Sequence, residues 1–490
     1  MAFIDSTVVN VALPALESSF KAGVIDVQWV VESYGLFLGA LILVGGAAGD
    51  RFGRRKVFLT GVSVFALASA ACGLAQSIHQ LIAARALQGL GAALLTPGSL
   101  AIISASFPEQ ERGRAIGTWS GFSAITTALG PVLGGWLIQH ATWRWIFFIN
   151  LPLAAAVILI SIVHVPESRG PVAKRLDILG ALLAIIGLGG LVFGLIESPR
   201  LGWTNLEVSG SLLVAIASLI SFPFVEARAP SPMVPLQLFR SRTFSGANLL
   251  TLFLYAALGI FFFIFPMNLI QVQGYSATSA GAAALPLILL IFFLSRWSGG
   301  LVSHYGAKPP LIIGPLIAAA GFALFAVPGI GGSYWRSFFP AFLVLGFGMA
   351  VSVAPLTTAV MGTVDQKFAG AASGINNAVA RVAGLLAIAV FGILMVSAFA
   401  TRLDHQLGRM NFPPSARHEL LSNRTRLAAI DMPPGLDPAQ ATHARSAINN
   451  SFLFAFRLIA FCCTALAIAS AATATLIIEA PPIVRKPSTS

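Results

Sequence analysis

The stretch Leu212-Leu-Val-Ala-Ile-Ala-Ser-Leu-Ile-Ser-Phe-Pro-Phe224 is apolar apart from two serines and shows no alternation of period two. A membrane-barrel strand would run about ten residues with one face in and one face out, so this stretch reads as helix. Runs like it, roughly 20 residues long, recur along the whole chain, and each can cross a hydrocarbon core of about 30 Å. Composition agrees: of 490 residues 57% are hydrophobic and only 10% charged, with a mean hydropathy of +0.85. These observations predict an all-α membrane protein of about fourteen spans, centred near Val9, Leu38, Phe65, Leu90, Ala124, Ala156, Leu188, Ile216, Phe261, Leu287, Ile317, Leu343, Ala387 and Ala465.

The net charge of +12 would suit a nucleic-acid partner if the basic residues formed one patch, but they sit in alternate short loops. With the N-terminus cytoplasmic, one side collects Arg51, Arg54, Arg55, Lys56, Arg112, Arg114, Arg169, Lys174, Arg175, Arg228, Arg240, Arg242, Arg296, Lys308, Lys367, Arg485 and Lys486. The short loops opposite hold only Lys21, Arg144, Arg200 and Arg336. That asymmetry places both termini in the cytoplasm, and the long segment at about 401–450 outside. Arg85, Arg381 and Arg457 remain within spans. Cys72, Cys462 and Cys463 lie in apolar runs without metal-ligand spacing and read as small buried hydrophobes.

Between the second and third spans the chain reads Gly46-Ala-Ala-Gly-Asp50-Arg51-Phe-Gly53-Arg54-Arg55-Lys56. A degenerate copy, Gly299-Gly-Leu-Val-Ser303-His-Tyr-Gly306-Ala-Lys308, follows the tenth, as expected of internally repeated transporters. The first copy resembles the signature loop of the major facilitator superfamily. Arg85-Ala-Leu-Gln88-Gly-Leu-Gly91 is similar to that superfamily's helix-four arginine motif, and Gly130-Pro131-Val-Leu-Gly134-Gly135 to its antiporter motif. Asp5-Ser-Thr7-Val-Val-Asn10-Val-Ala-Leu-Pro14 and Trp143-Arg-Trp-Ile-Phe-Phe-Ile-Asn150-Leu-Pro152 resemble the fourteen-helix drug:proton antiporters.

That resemblance implies six-helix bundles over 1–166 and 244–480, joined by two linking helices and a proline-rich connector over 167–243, with a cytoplasmic tail at 481–490. It implies that Gly46, Asp50, Arg51, Gly53, Arg54 and Arg55 form a conformational latch on the cytoplasmic side. In the second copy Ser303 replaces the acid, so only the first latch is electrostatic. It further implies close helix packing at Gly117, Gly130, Pro131, Gly134 and Gly135, with Thr126 standing where the family pattern has a glycine. Members also carry a longer segment ahead of the helix-one acid, whereas four residues precede Asp5 here, so the expectation is that the product begins upstream or that this form is impaired in transport.

An intramembrane carboxylate marks a proton or ion path by default. Asp5 and Glu32 are the only acids expected well inside the spans, since Asp50, Asp177 and Glu226 fall at helix ends. Asp5 is ranked first as the proton site, Glu32 second as an auxiliary or cation-attracting site, and Arg85 as the charge that tunes them. Tyr34, Gln88, Asn376, Asn377 and Arg381 are the candidate cavity residues, because polar groups in hydrocarbon need partners.

The function implied is proton-coupled antiport that exports small lipophilic or cationic compounds. Export of an endogenous metabolite, and facilitated transport or import, remain alternatives. Neither His-Glu-x-x-His nor Gly-x-Ser-x-Gly occurs, so nothing in the sequence points to an enzyme. No cofactor or metal is expected, the proton gradient being the driving force. The expected partners are the substrate, protons and the bilayer of a bacterial cytoplasmic membrane, with no nucleic acid. A monomer should suffice, and a periplasmic adaptor protein stays open.

Overall fold

A computed structural model describes residues 1–107, 129–169, 177–362, 369–409, 413–433 and 436–479, together with Phe122, Thr126 and Val364. Among the described residues there are helices and no strands. In chain order they are α1 (Ala2–Phe20), α2 (Val24–Phe52), α3 (Arg54–Leu74) and α4 (Ile78–Ser106), then α5 over residues 129–140 and α6 (Trp145–His164). They continue as α7 (Ile178–Leu201), α8 (Leu206–Arg228), α9 (Arg242–Met267, running into a π turn Asn268–Val272) and α10 (Ala277–Ala282 with Leu285–Tyr305). The last are α11 (Lys308–Leu324), α12 (Phe339–Gly362), α13 (Ala369–Leu407) and α14 (Pro438–Ile477).

Among the described residues, eleven of these fourteen helices are long and apolar enough to cross a membrane. The other three are α1, at 19 residues, the described part of α5, and α11, at 17 residues. Every predicted span centre except Ala124, which is outside the described residues, falls within one of these helices.

Packing separates two groups of helices. In the first, α4 lies against α2 and α3, and α3 against α6; in the second, α9 packs on α13 and α14, and α11 and α12 on one another. Small residues set the closest approaches. At Gly91 a Cβ would lie 2.5 Å from the Phe65 nitrogen, and at Gly61 a Cβ would lie 2.7 Å from the Leu95 nitrogen, so α3 and α4 touch backbone to backbone. The paired helices α7 and α8 stand outside both groups, with α7 against α2 and α13. Glu197 on α7 fixes that contact, accepting from Trp29 Nε1 of α2 at 2.9 Å and forming an ion pair with Arg200 at 2.7 Å.

The internal repeat is visible in the backbone. Gly53 ends α2 with φ 112° and Gly306 ends α10 with φ 76°, left-handed values that suit glycine. Gly46 makes only an ordinary contact with Pro97. The tight point is Gly45, where a Cβ would overlap the Ala93 carbonyl oxygen of α4.

On the orientation the basic residues predict, the outer side is closed. A Cβ on Gly281 of α10 would overlap the Pro131 carbonyl of α5, and Thr278 Oγ1 donates to Gln139 Oε1 at 2.7 Å. The turn Arg424–Ala429 lies over this end, touching α1, α2, α13 and α14.

Candidate functional site

Asp5 sits in the first turns of α1 and is fully buried. Three side chains donate to it: Arg85 Nη1 of α4 at 2.5 Å, Gln88 Nε2 of α4 at 2.8 Å and Asn150 Nδ2 of α6 at 3.3 Å. Arg85 and Gln88 are one helical turn apart, so both reach the same carboxylate from one face. Ser69 of α3 ties the cluster together by accepting from Gln88 at 3.2 Å and Asn150 at 3.0 Å, and its hydroxyl donates to the Phe147 carbonyl at 2.9 Å. Four helices of the first group therefore meet at one buried acid.

Arg85 is 1% exposed and does not depend on Asp5 alone. Its Nε donates to the Val30 carbonyl at 3.1 Å and its Nη1 to Gln88 Oε1 at 2.7 Å, while its guanidinium carbon stands 4.2 Å from the centre of the Tyr34 ring. The α2–α4 approach that allows this is held at Gly89, where any Cβ would overlap the Tyr34 carbonyl oxygen. A guanidinium stays charged at any accessible pH. Arg85 thus has three uncharged partners besides the carboxylate.

Tyr34 is the hinge between this network and the second group of helices. Its hydroxyl is buried without a hydrogen-bond partner among the described residues, and the charge of Arg381 on α13 acts on it and on Tyr255 of α9. Asn377, one turn before Arg381, is exposed and donates to its own helix at Ser373. Asn376 is not free for a ligand, contrary to expectation. Its amide donates to Asn248 Oδ1 at 3.2 Å and Thr251 Oγ1 at 2.8 Å, cross-linking α13 to α9.

Glu32 is 1% exposed, and neither carboxylate oxygen has a partner among the described residues. It shares a face of α2 with Gln28, Gly35 and Gly39, which meet Ile388, Leu385 and Arg381 of α13. Glu32 therefore points at the seam between the groups, not into the Asp5 network. Burial of acids is not confined to Asp5 and Glu32: Glu17, near the end of α1, is fully buried, and Glu197, near the end of α7, is 5% exposed.

At the latch, Asp50 Oδ1 accepts from Arg54 Nε at 2.9 Å and Nη2 at 2.8 Å, and Arg54 also reaches the Ala101 carbonyl of α4. Arg51 is exposed beside the Phe52 ring. Arg55 Nη1 donates to the Val165 carbonyl at 2.9 Å, and the backbone nitrogens of Arg55 and Lys56 donate to the Glu167 carboxylate. Glu167 caps α3 from a distant loop, where an anion is favoured by the free N–H groups. In the antiporter motif, a Cβ on Gly130 would overlap Thr7 Oγ1 and one on Gly134 would overlap Val8 Cγ2, both on α1. A Cβ on Gly135 would overlap the Ala277 carbonyl of α10, so this surface of α5 touches both groups of helices. Thr126 is half-buried, and Gly117 lies outside the described residues.

Asn150, Ser69 and Glu17 are the residues that sequence reasoning missed. Asn150 was already conspicuous as the amide inside an aromatic motif, and Ser69 as a hydroxyl in an alanine-rich span. Glu17, near the end of α1, looked like an ordinary helix-end acid.

A buried acid–arginine pair lies within the first of two groups of apolar helices, an arrangement that suits a membrane transporter. The sequence matches the Major Facilitator Superfamily over residues 1–388, and the chain belongs to that family. It is 36% identical over 430 residues to the multidrug resistance protein Stp of Mycobacterium tuberculosis (strain CDC 1551 / Oshkosh), covering 86% of this chain and 78% of that protein. It is 34% identical over 496 residues to the tetracenomycin C resistance and export protein of Streptomyces glaucescens, covering 99% and 91%. In fold it resembles an inward-facing, unoccupied bacterial homologue of the human lysosomal transporter Spinster, with a TM-score of 0.65, 18% identity, and 98% and 96% of the two chains covered. The protein is a multi-pass membrane protein of the bacterial cell membrane.

Proposed function

We propose that this protein exports small lipophilic or cationic compounds in exchange for protons, with Asp5 as the exchange site. The observation that carries the reading is the set of neutral partners around Arg85, namely the Val30 carbonyl, the Gln88 amide oxygen and the Tyr34 ring. When Asp5 takes a proton, its pairing with Arg85 weakens, yet the buried cation keeps its hydrogen bonds and the fold survives. A proton and a cationic substrate would then compete for the same balance of charge. Tyr34, Arg381, Asn377 and Tyr255 are the groups proposed to meet substrate, and Glu32 is proposed to attract cations at the seam.

Relatives named for multidrug and tetracenomycin C resistance support export as the direction of transport. The Asp50–Arg54 pair, already formed within the first group of helices, is proposed to dock against the second bundle when the cytoplasmic side closes. Bundles over 1–166 and 244–480, and both termini in the cytoplasm, complete the proposal.

The test supplies a fluorescent cation outside inside-out vesicles, with and without an imposed pH gradient. Uptake should require the gradient, and Asp5→Asn should abolish gradient-driven uptake while the protein still inserts. Gradient-independent uptake would instead identify a facilitator. Full gradient-driven transport by Asp5→Asn would move the exchange site to Glu32 or to the substrate itself.

A further inference from the structure

Glu17 lies on α1 at the outer seam, and its carboxylate is fully buried. Its Oε2 accepts a hydrogen bond of 2.5 Å from Gln271 Nε2, in the π turn that ends α9. The contact crosses from the first group of helices to the second. The two remaining oxygens, Glu17 Oε1 and Gln271 Oε1, are both buried, and neither has a donor among the described residues. A carboxylate facing a carboxamide supplies three acceptors and too few donors. One proton on Glu17 Oε1, donated to Gln271 Oε1, would satisfy both orphans at once and complete a cyclic acid–amide pair.

We propose that Glu17 is a second proton-binding site, at which a proton taken from the outer side locks α1 to the end of α9 and holds the outer seam shut. This deepens the antiport reading and rests on it for its place in the cycle. Without the proton, two buried oxygens stay unpaired, each at the cost of desolvation. Opening the seam hydrates them, and the proton returns to outer water by the same route. Proton uptake in the outward-open state therefore drives the closure that must follow it.

The charged groups around Glu17 do not replace that proton. Asp26, at the start of α2, already accepts from the Gly23 nitrogen at 2.9 Å; Arg426, whose charge reaches Glu17 from the outer segment, pairs through Nη1 with Asp431 at 2.7 Å, and its buried Nε makes no hydrogen bond to Glu17 or Gln271. Lys21 follows one turn later on α1. On α4, Arg85 is taken by Asp5, and at the start of α6 Arg144 is tied to the carbonyls of Gly73 and Ala75. Between residues 268 and 282, on the facing side, Tyr275 is the only titratable side chain.

The test measures the seam directly. Spin labels are placed on cysteines at the exposed positions His79 and Ser333, in a Cys462→Ala background, and distances are read in liposomes from acidic to alkaline pH. One linked proton changes the closed-to-open ratio by up to about tenfold per pH unit, with the closed form favoured by acid. Glu17→Gln should remain closed across the range, because its amide can donate to Gln271 Oε1 as the acid would. Gln271→Leu should lower the closed fraction at acidic pH and flatten the response. A wild-type pH response in Glu17→Gln overturns the proposal, as does an open seam in that variant at every pH. The two readings fail separately. Loss of gradient-driven export in Asp5→Asn with an intact seam response leaves both standing, whereas gradient-independent transport by the wild type removes antiport and leaves the seam measurement to decide on Glu17.

Discussion

Replacing Asp5 by asparagine and Arg85 by glutamine, singly and together, asks whether the buried pair behaves as one unit. Their N–O distance is 2.5 Å, which puts the charge centres about 4 Å apart and makes the attraction about 4 kcal/mol at an effective dielectric of about 20. Removing one partner of a buried pair costs about 3–5 kcal/mol, mostly by stranding the other charge. The structure makes the two losses unequal. Asp5→Asn leaves Arg85 with the Val30 carbonyl, Gln88 Oε1 and the Tyr34 ring, so its cost should fall near the low end, about 3 kcal/mol. Arg85→Gln leaves Asp5 with only the neutral amides of Gln88 and Asn150, and its cost should approach about 5 kcal/mol. The double variant strands no charge, so it should be at least about 3 kcal/mol more stable than the sum of the singles. Denaturant unfolding of the detergent-solubilised protein, followed by tryptophan fluorescence, reads all four corners of the cycle. Additive costs, or Asp5→Asn proving the more damaging single change, would refute the reasoning.

Gly135→Val should overpack α5 against the Ala277 carbonyl of α10, cost about 1–3 kcal/mol, and increase labelling of outer-seam cysteines. Asp50→Asn removes a pair whose acid is 37% exposed, so stability should change by only about 0.5 kcal/mol. Transport by that variant should nevertheless slow more than in Ser303→Ala, and equal rates in vesicles would remove the asymmetry between the two loops. Glu32→Gln should keep gradient-driven export but weaken apparent affinity for cationic substrates more than for neutral ones, measured as concentration dependence in the same vesicles.

Helical fold and span positions were legible because a hydrocarbon solvent leaves the backbone few choices, and the runs around Leu188 or Ile216 betray themselves by composition alone. Asp5 and Arg85 were legible for the same reason, as each is too costly in a span without a partner. What the sequence did not reveal was who partners whom. Asn376 and Asn377 are adjacent in sequence, yet they differ by about 100° around α13; one is spent on Asn248 and Thr251, and the other is exposed. Gly45 and Gly46 show the same limit, since only the helix crossing decides which of the two meets Ala93. Glu17 was hidden because its burial comes from Gln271, 254 residues away along the chain.

Asp5 and Glu17 occupy the same helix, and this gives the proposed cycle a mechanical basis. They are separated by about 18 Å along α1 at the usual rise per residue, with Pro14 between them. Asp5 is held by α4 and α6 within its own group of helices, whereas Glu17 is held by Gln271 of the opposite group. Protonation at Asp5 therefore changes the charge inside one bundle and leaves its packing in place, while protonation at Glu17 changes how the two bundles meet. A conformational change needs a ligand that interacts differently with the two states. In the proposed cycle, the Asp5 proton would supply exchange with substrate, and the Glu17 proton would supply the difference between an open and a closed outer seam. Stopping one should leave the other measurable: Asp5→Asn should keep a pH-dependent seam but lose gradient-driven export, and Glu17→Gln should keep proton binding at Asp5 but cycle slowly because its seam stays shut.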